Sequence, residues 1–197
     1  MKKITTLFVA IMAVALVAFK PVAPVTFKVD AQKSKIEWTG KKVTGQHVGT
    51  IKIASGEVAT NGKVPTAGKF VIDMTSMENT DLDGDSKGKL MGHLKSEDFF
   101  GVEKYPTATF QATKITPAGA GKVNITGNLT IKGKTNVVTF PATYTMAGNT
   151  LNVTANGVKV DRTKYDIRYG SKSFFESLGD KAIDDEFLLN INLVATR

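Results

Sequence analysis

Hydrophobic residues fall on every second position through most of this chain. A period of two is what a strand needs when one of its faces is buried and the other is wet. In VNITGNLTI, Val123, Ile125, Leu129 and Ile131 share a face with Gly127, and Asn124, Thr126, Asn128 and Thr130 take the other. In VVTFPATYTM, Val138, Phe140, Ala142, Tyr144 and Met146 line one side. Pro141 falls on the opposite side and removes a ladder donor, so an edge, a bulge or a kink is expected there. Leu151, Val153 and Ala155 continue the alternation, and Val158 and Val160 resume it with flipped parity across Asn156-Gly157, which predicts a bulge. Similar strands are expected at Thr26–Asp30, Lys35–Thr44, His47–Ala54, Lys69–Met74, Thr107–Thr116 and from Phe187 to Leu193. Turn signals separate them at Ala54-Ser55-Gly56, Asn61-Gly62, Gly119-Ala120-Gly121, Lys132-Gly133-Lys134 and Gly148-Asn149. About eight or nine strands on short connections favour an antiparallel sandwich or barrel.

One connection breaks the rhythm. Between Thr75 and Pro106 no strand pattern is expected. Asp85 or Ser86 caps a predicted short helix that puts Leu90, Met91 and Leu94 on one face. A second interruption, SFFESLGDK from Ser173 to Lys181, is also read as helical. Long inserts in compact β domains serve as lids or binding loops. The first insert ends in SEDFFGVEKYPTATF, whose Phe99, Phe100, Tyr105 and Phe110 would make a large exposed apolar patch unless they pack on the sheet or line a cavity.

The N-terminus has a basic start, Lys2 and Lys3, and an apolar run of 13 residues from Leu7 to Phe19, closed by Lys20 and Pro21. That length suits a signal-peptide core and falls short of the ~20 residues that cross a bilayer. Residues 1–23 are therefore expected to be a signal peptide, with 24–197 as one domain and a periplasmic or secreted location. Removing Lys2, Lys3 and Lys20 takes the net charge from +8 to +5. The remaining charge is spread along the chain without a basic stripe or aromatic interleaving, so nucleic acid is not an expected partner, whereas peripheral contact with an anionic membrane surface is. The oligomeric state is not legible.

Cysteine is absent, which removes disulfides, thiolate metal sites and a cysteine nucleophile. Asp81, Asp83 and Asp85 alternate like the start of a calcium loop, but Ser86 and Gly92 stand where that motif needs Gly and a bidentate acid; a solvated turn and helix cap is the better reading. His47 and His93 are the two histidines and carry no zinc-site spacing, and no GxSxG elbow or phosphate-binding glycine loop occurs. No catalytic residue, metal or cofactor is expected. Of three arginines, Arg162 and Arg168 lie together in VDRTKYDIRYGS. A guanidinium suits carboxylate or phosphate, so each is either an anion clamp at a pocket mouth or structural, with Arg162 pairing Asp161 or Asp166.

Four runs in order, HLKSEDFFGVEKYPTATF, GNLTIKGKTNVVTFP, VDRTKYDIRYG and FFESLGDKAIDDEFLLNINLVAT, resemble the YceI-like family of lipid- or polyisoprenoid-binding proteins. The likeness covers nearly all of Phe27 to Thr196. It implies an all-β fold, an antiparallel eight-stranded lipocalin-like barrel with a long helical insert between strands, usually exported, with an apolar tunnel for an isoprenoid or fatty chain and no catalysis. The family pattern often has Gly near Asp166, where this chain has Asp. On this reading the chain is a carrier for a polyisoprenoid, quinone or fatty-acid derivative. Leu90, Met91, Leu94, Phe99, Phe100 and Phe110 meet the tail or close the opening, and Arg162, with His47 or Tyr165, meets the head group. A tail that buries ~600 Å² gains roughly 15 kcal/mol gross at ~25 cal/mol per Å². A groove covering half of it would only offset the ~4–15 kcal/mol cost of association, so full enclosure is needed. The alternatives are a lipid-acting hydrolase or isomerase on the same fold and a solid-core β-sandwich adhesion or assembly module.

Overall fold

The computed structural model describes residues 23–197, so apart from Ala23 the expected signal segment lies outside the described residues. Nine strands follow in order: β1 (Val25–Val29), β2 (Lys35–Lys42), β3 (Gly45–Thr60), β4 (Pro65–Asn79), β5 (Thr107–Pro117), β6 (Lys122–Ile131), β7 (Lys134–Ala147), β8 (Thr150–Asp161) and β9 (Glu186–Thr196). One helix, α1 (Gly84–Lys95), lies in the insert between β4 and β5. Every pairing is antiparallel, and the sheet closes on itself through β3–β4 and β2–β9, giving the expected barrel. Nine strands make eight positions around the ring because β1 and β2 share one. β1 pairs with the far end of β3 and with β9 at Ala195–Thr196, and β2 pairs with the near end of β3 and with β9 at Leu188–Asn192. In the break between them the Ser34 hydroxyl stands in for a ladder peptide, accepting from the Val194 N–H at 3.0 Å and donating to its carbonyl at 3.3 Å.

The alternation read from sequence sets which face turns inward. Val123, Ile125, Leu129 and Ile131 are buried, and the other face of β6 pairs hydroxyls with β7, Thr126 to Thr139 at 2.9 Å and Thr130 to Thr135 at 2.8 Å. Apolar inside and polar outside is the reverse of a lipid-facing barrel wall. Three inward aromatic rings occupy the space beside a glycine of the neighbouring strand: Trp38 at Gly49, Phe70 at Gly56 and Phe110 at Gly127. A Cβ at Gly49 would come within 2.4 Å of the Trp38 ring and 1.9 Å of the Glu78 carbonyl oxygen.

Four local departures have physical causes. β3 runs straight through the expected turn at Ala54-Ser55-Gly56, with a one-residue slip against β4 there. β4 starts at Pro65 and continues to Asn79, past Met74, where the sequence alternation ends. Three extra residues bulge between Asp73 and Glu78, so Met74 and Met77 both turn inward and the period of two is lost. The Asp73 carboxylate holds the bulge by accepting from the Thr75 N–H (3.0 Å) and hydroxyl (2.5 Å), and the Ser76 hydroxyl accepts from the Lys52 N–H at 2.8 Å. The α1 N-cap is Asp83, two residues before the nearer expected cap, Asp85. The segment Ser173–Lys181 forms turns and a single 3-10 turn at Gly179–Lys181 where a helix was expected.

The β8 bulge falls as expected, between Ala155 and Val158, with Gly157 at φ +65°. Pro141 sits just beyond the last residue of β7 that pairs with β8, which spans Thr143–Ala147. Above it the two strands part, and the turn Arg162–Tyr165 fills the seam, with Asn136 Nδ2 donating to the Lys164 carbonyl at 2.8 Å.

Candidate functional site

A cavity of about 430 Å³ runs inside the barrel. Its wall extends from Pro65, Ala67 and Gly68 at the β3–β4 turn to Lys41, Lys42 and His47 at the β2–β3 turn. Inward-facing Ile72, Phe140, Leu189 and Ile191 stay partly exposed although they lie inside the barrel, because they face open space. Phe110 lies 6.2 Å from Phe70 and 5.7 Å from Phe140, ring centre to ring centre, and these rings narrow the lower half.

Polarity is confined to one end. The lining residues Lys41, Lys42, His47, His93, Arg162, Asp184 and Glu186 cluster at the mouth, and the rest of the wall is almost wholly hydrocarbon. Backbone contacts tie this end together: Lys42 bridges Ile183, the Asp184 N–H donates to the Lys41 carbonyl (2.9 Å) and the Val43 N–H to the Ala182 carbonyl (3.3 Å). The arrangement suits an amphiphile with its tail in the barrel and its polar group at the mouth.

The lid answers the question raised by the aromatic run. Phe99 is buried and packs edge-on against His93 (5.0 Å), beside Tyr169 (5.8 Å) and under the Arg162 guanidinium (5.6 Å). Phe100 meets Phe187 of β9 at 6.2 Å. The two rings therefore both staple the insert to the barrel and line the cavity. Leu90 and Leu94 of α1 and Phe110 of β5 also line it. Met91 packs against the core without reaching the cavity wall.

The head-group candidates separate. His47 lies on the rim, its Nδ1 2.8 Å from Asp81 Oδ2. Asp81 also accepts from the Val48 N–H (2.7 Å) and Asn79 Nδ2 (2.6 Å). Burial works to raise the Asp81 carboxyl pKa, but these hydrogen bonds outweigh it and hold it below the usual carboxylate value. Asp81 thus pins the start of β3 to the chain that leads into α1.

Arg162 lines the cavity but is only 3% exposed, and its guanidinium is taken up by the protein. Nε donates to the Asp184 carbonyl (2.9 Å), Nη1 to Ile167 (2.9 Å) and Nη2 to Ile183 (3.0 Å), with Asp185 at 3.7 Å. It clamps the 162–185 loop, and its ionic partner is Asp185, not Asp161 or Asp166. Arg168 pairs with Asp166 at 3.0 Å. Asp166 itself occupies a left-handed conformation at φ +62°, the geometry for which glycine is the easy residue.

Tyr165 lies away from the main cavity, 1% exposed behind the seam turn, where burial and then the Asp161 charge push its hydroxyl pKa up to about 12. The side chain that closes a seam cannot also face the tunnel.

Trp38 and Tyr169 also belong to the mouth and are not singled out by the sequence, whereas His93, one of the two histidines, is. Tyr169 packs edge-on against His93 at 4.4 Å. Trp38 shares inward parity with Ile36 on β2, so alternation alone could have placed it. Trp38 Nε1 and His93 Nε2 are buried without a hydrogen-bond partner among the described residues.

The family profile described as the YceI-like domain matches residues 27–195. A UPF0312 protein of Vibrio parahaemolyticus is 38% identical over 79 residues, 40% of this chain and 39% of that one. A UPF0312 protein of Pseudomonas putida is 30% identical over 127 residues, 62% of this chain and 63% of that one. The chain thus spans less than two thirds of the length of these curated relatives. Among solved structures, BcnA of Burkholderia cenocepacia superposes with a TM-score of 0.69 at 29% identity, covering 85% of this chain and 99% of that one. A polyisoprenoid binding domain from Saccharophagus degradans, implicated in plant cell wall breakdown, gives 0.66 at 16% identity, covering 86% and 97%, and so speaks to the fold.

Proposed function

This chain belongs to the YceI-like family, and we propose that it is a lipid-binding protein, not an enzyme, that encloses one chain-like amphiphile such as a polyisoprenoid, quinone or fatty-acid derivative. The observation that carries this reading is the cavity itself, apolar along its length and polar only at its mouth. The single closed sheet around open space speaks against a solid-core sandwich module. Among the described residues the His47–Asp81 pair is the feature that resembles catalytic machinery. Asp81 is already engaged by Val48 and Asn79, and no hydroxyl pairs with His47 among the described residues, so the pair holds the lid in place and activates no nucleophile. The basic, apolar N-terminus supports export to the periplasm or the medium, where a water-insoluble chain needs such a container.

The test is a chain-length series of isoprenoid alcohols, from farnesol upward, titrated into delipidated protein. Each unit of five carbons adds about 3–4 kcal/mol of gross burial at ~0.8 kcal/mol per carbon. Affinity should climb steeply with length and then level off once the tunnel is full. An affinity indifferent to chain length would refute enclosure.

A further inference from the structure

Among the described residues five large hydrophobic side chains are exposed, and four of them stand on the loops around the cavity mouth: Val43, Tyr169, Phe174 and Phe175. The fifth, Val137, lies on β7. We propose that this rim is a membrane-docking surface that inserts into the interface of a lipid bilayer, so that a ligand passes between bilayer and barrel without crossing water. The proposal rests on the carrier reading above and adds the surface through which loading occurs.

Three observations choose a bilayer as the partner. The first is the chemistry of the rim. Val43 follows Lys41 and Lys42, Tyr169 follows Arg168, and Phe174 and Phe175 follow Lys172. Apolar tips beside long cations are the composition of an interfacial anchor, in which rings enter the acyl boundary and cations stay with the head groups. Arg168 already lies over the Phe174 ring at 4.6 Å, its charge carried beside the ring. Asp166, which pairs with Arg168, and Glu176, Asp180, Asp184 and Asp185 share the same loop, so apolar insertion is the main source of affinity and lipid charge a secondary one.

The second is rigidity. Ser171 accepts from the N–H groups of Phe174 and Phe175 (3.2 and 3.0 Å), Gly170 accepts from Ile183 (2.8 Å), and Ser173 donates to Asp185 (2.5 Å). Beneath them the buried Arg162 clamps carbonyls on both sides of the loop. A loop with its rings held outward by a buried cation is preorganised to dock, with little left to order on contact.

The third is the direction of the cavity. Its polar lining lies at the same end as the rim. An amphiphile can then keep its head at the interface while its tail swings from the acyl layer into the barrel.

The experiment is flotation of the folded protein with phosphatidylcholine vesicles, with and without phosphatidylglycerol, alongside transfer of a long polyprenol between vesicles. Phe174 and Phe175 are 46% and 50% exposed, so insertion hides about half of each ring. That is worth roughly fivefold in partitioning per ring and about 25-fold for the pair. Phe174→Ser with Phe175→Ser should lose that factor in flotation and slow transfer, while farnesol binding in solution and the melting temperature stay unchanged. Val137→Ser should change none of these. Flotation of the double variant equal to wild type, or wild-type protein that does not float, overturns the docking surface. So does a change of oligomeric state in the double variant without a change in flotation, since the rim would then be a protein interface. If wild type floats through these rings but binds no farnesol, the docking surface stands and the carrier reading falls.

Discussion

Placing a ring inside the barrel separates a hollow interior from a filled one by the sign of its effect. Ala112 on β5 lines the cavity, is half-buried and packs beside the Phe110 and Gly127 pair. In a filled core, Ala112→Phe adds a ring where none fits and costs typically 1–3 kcal/mol. In a hollow barrel the same ring has room, and hiding it from water gains up to about 1.5–3 kcal/mol. With rotamer entropy subtracted, the net gain is about 1–2 kcal/mol, or roughly 2–8 °C in melting temperature for a domain of this size. The ring also removes ligand-accessible wall, so binding of a long isoprenoid should weaken by tenfold or more. Thermal unfolding of delipidated protein and ligand titration supply the two readings, with Val153→Phe on β8 as a second position facing the same cavity. A loss of stability at both positions would refute the claim that the interior is open space.

Arg162→Lys cannot serve three carbonyls at once, and with buried acceptors left unmet it should cost about 3 kcal/mol and lower the melting temperature by roughly 6–12 °C. Gly49→Val forces a side chain into the Trp38 ring and the Glu78 carbonyl; it should destabilise the protein by about 1–3 kcal/mol in urea unfolding and shift the Trp38 emission. Trp38 is the sole tryptophan and lines the cavity, so uptake of an isoprenoid should change the intrinsic fluorescence with a one-to-one titration end point. Burial works to raise the Asp185 carboxyl, but neighbouring hydroxyls and the Arg162 charge outweigh it and hold it below the usual value. Its folded pKa being depressed, Asp185 contributes stability that is full above the ordinary carboxylate range and lost as pH falls through the folded value. Melting temperature should therefore drop below about pH 4, and Asp185→Asn should flatten that drop.

The barrel was legible wherever one strand face is apolar without interruption. Val123 to Ile131 is such a case, and so is the parity flip at Asn156-Gly157, which a glycine at φ +65° makes cheap. Alternation failed where extra residues enter a strand. Met74 and Met77 both point inward because the Asp73 carboxylate stabilises a bulge that no period of two contains. It also failed at Ser55-Gly56, where a turn-like pair of residues sits in a strand because the Phe70 ring covers the glycine. The lid phenylalanines could be found by asking where the rings of Phe99, Phe100, Tyr105 and Phe110 hide. Arg162 could be singled out by its rarity, but not its role, because its acceptors are backbone carbonyls and a sequence does not show where carbonyls point. Tyr165 does not line the main cavity, and its place was illegible for a different reason. Whether it faced the tunnel or the seam depended on where β7 and β8 part.

Native mass spectrometry of the protein isolated from its own source, without detergent or organic solvent, tests the central claim most directly. An open apolar barrel should carry one chain-like lipid per protein, released by organic extraction and restored by added isoprenoid of matching length. A bare polypeptide mass that no isoprenoid of any length can increase would contradict the account.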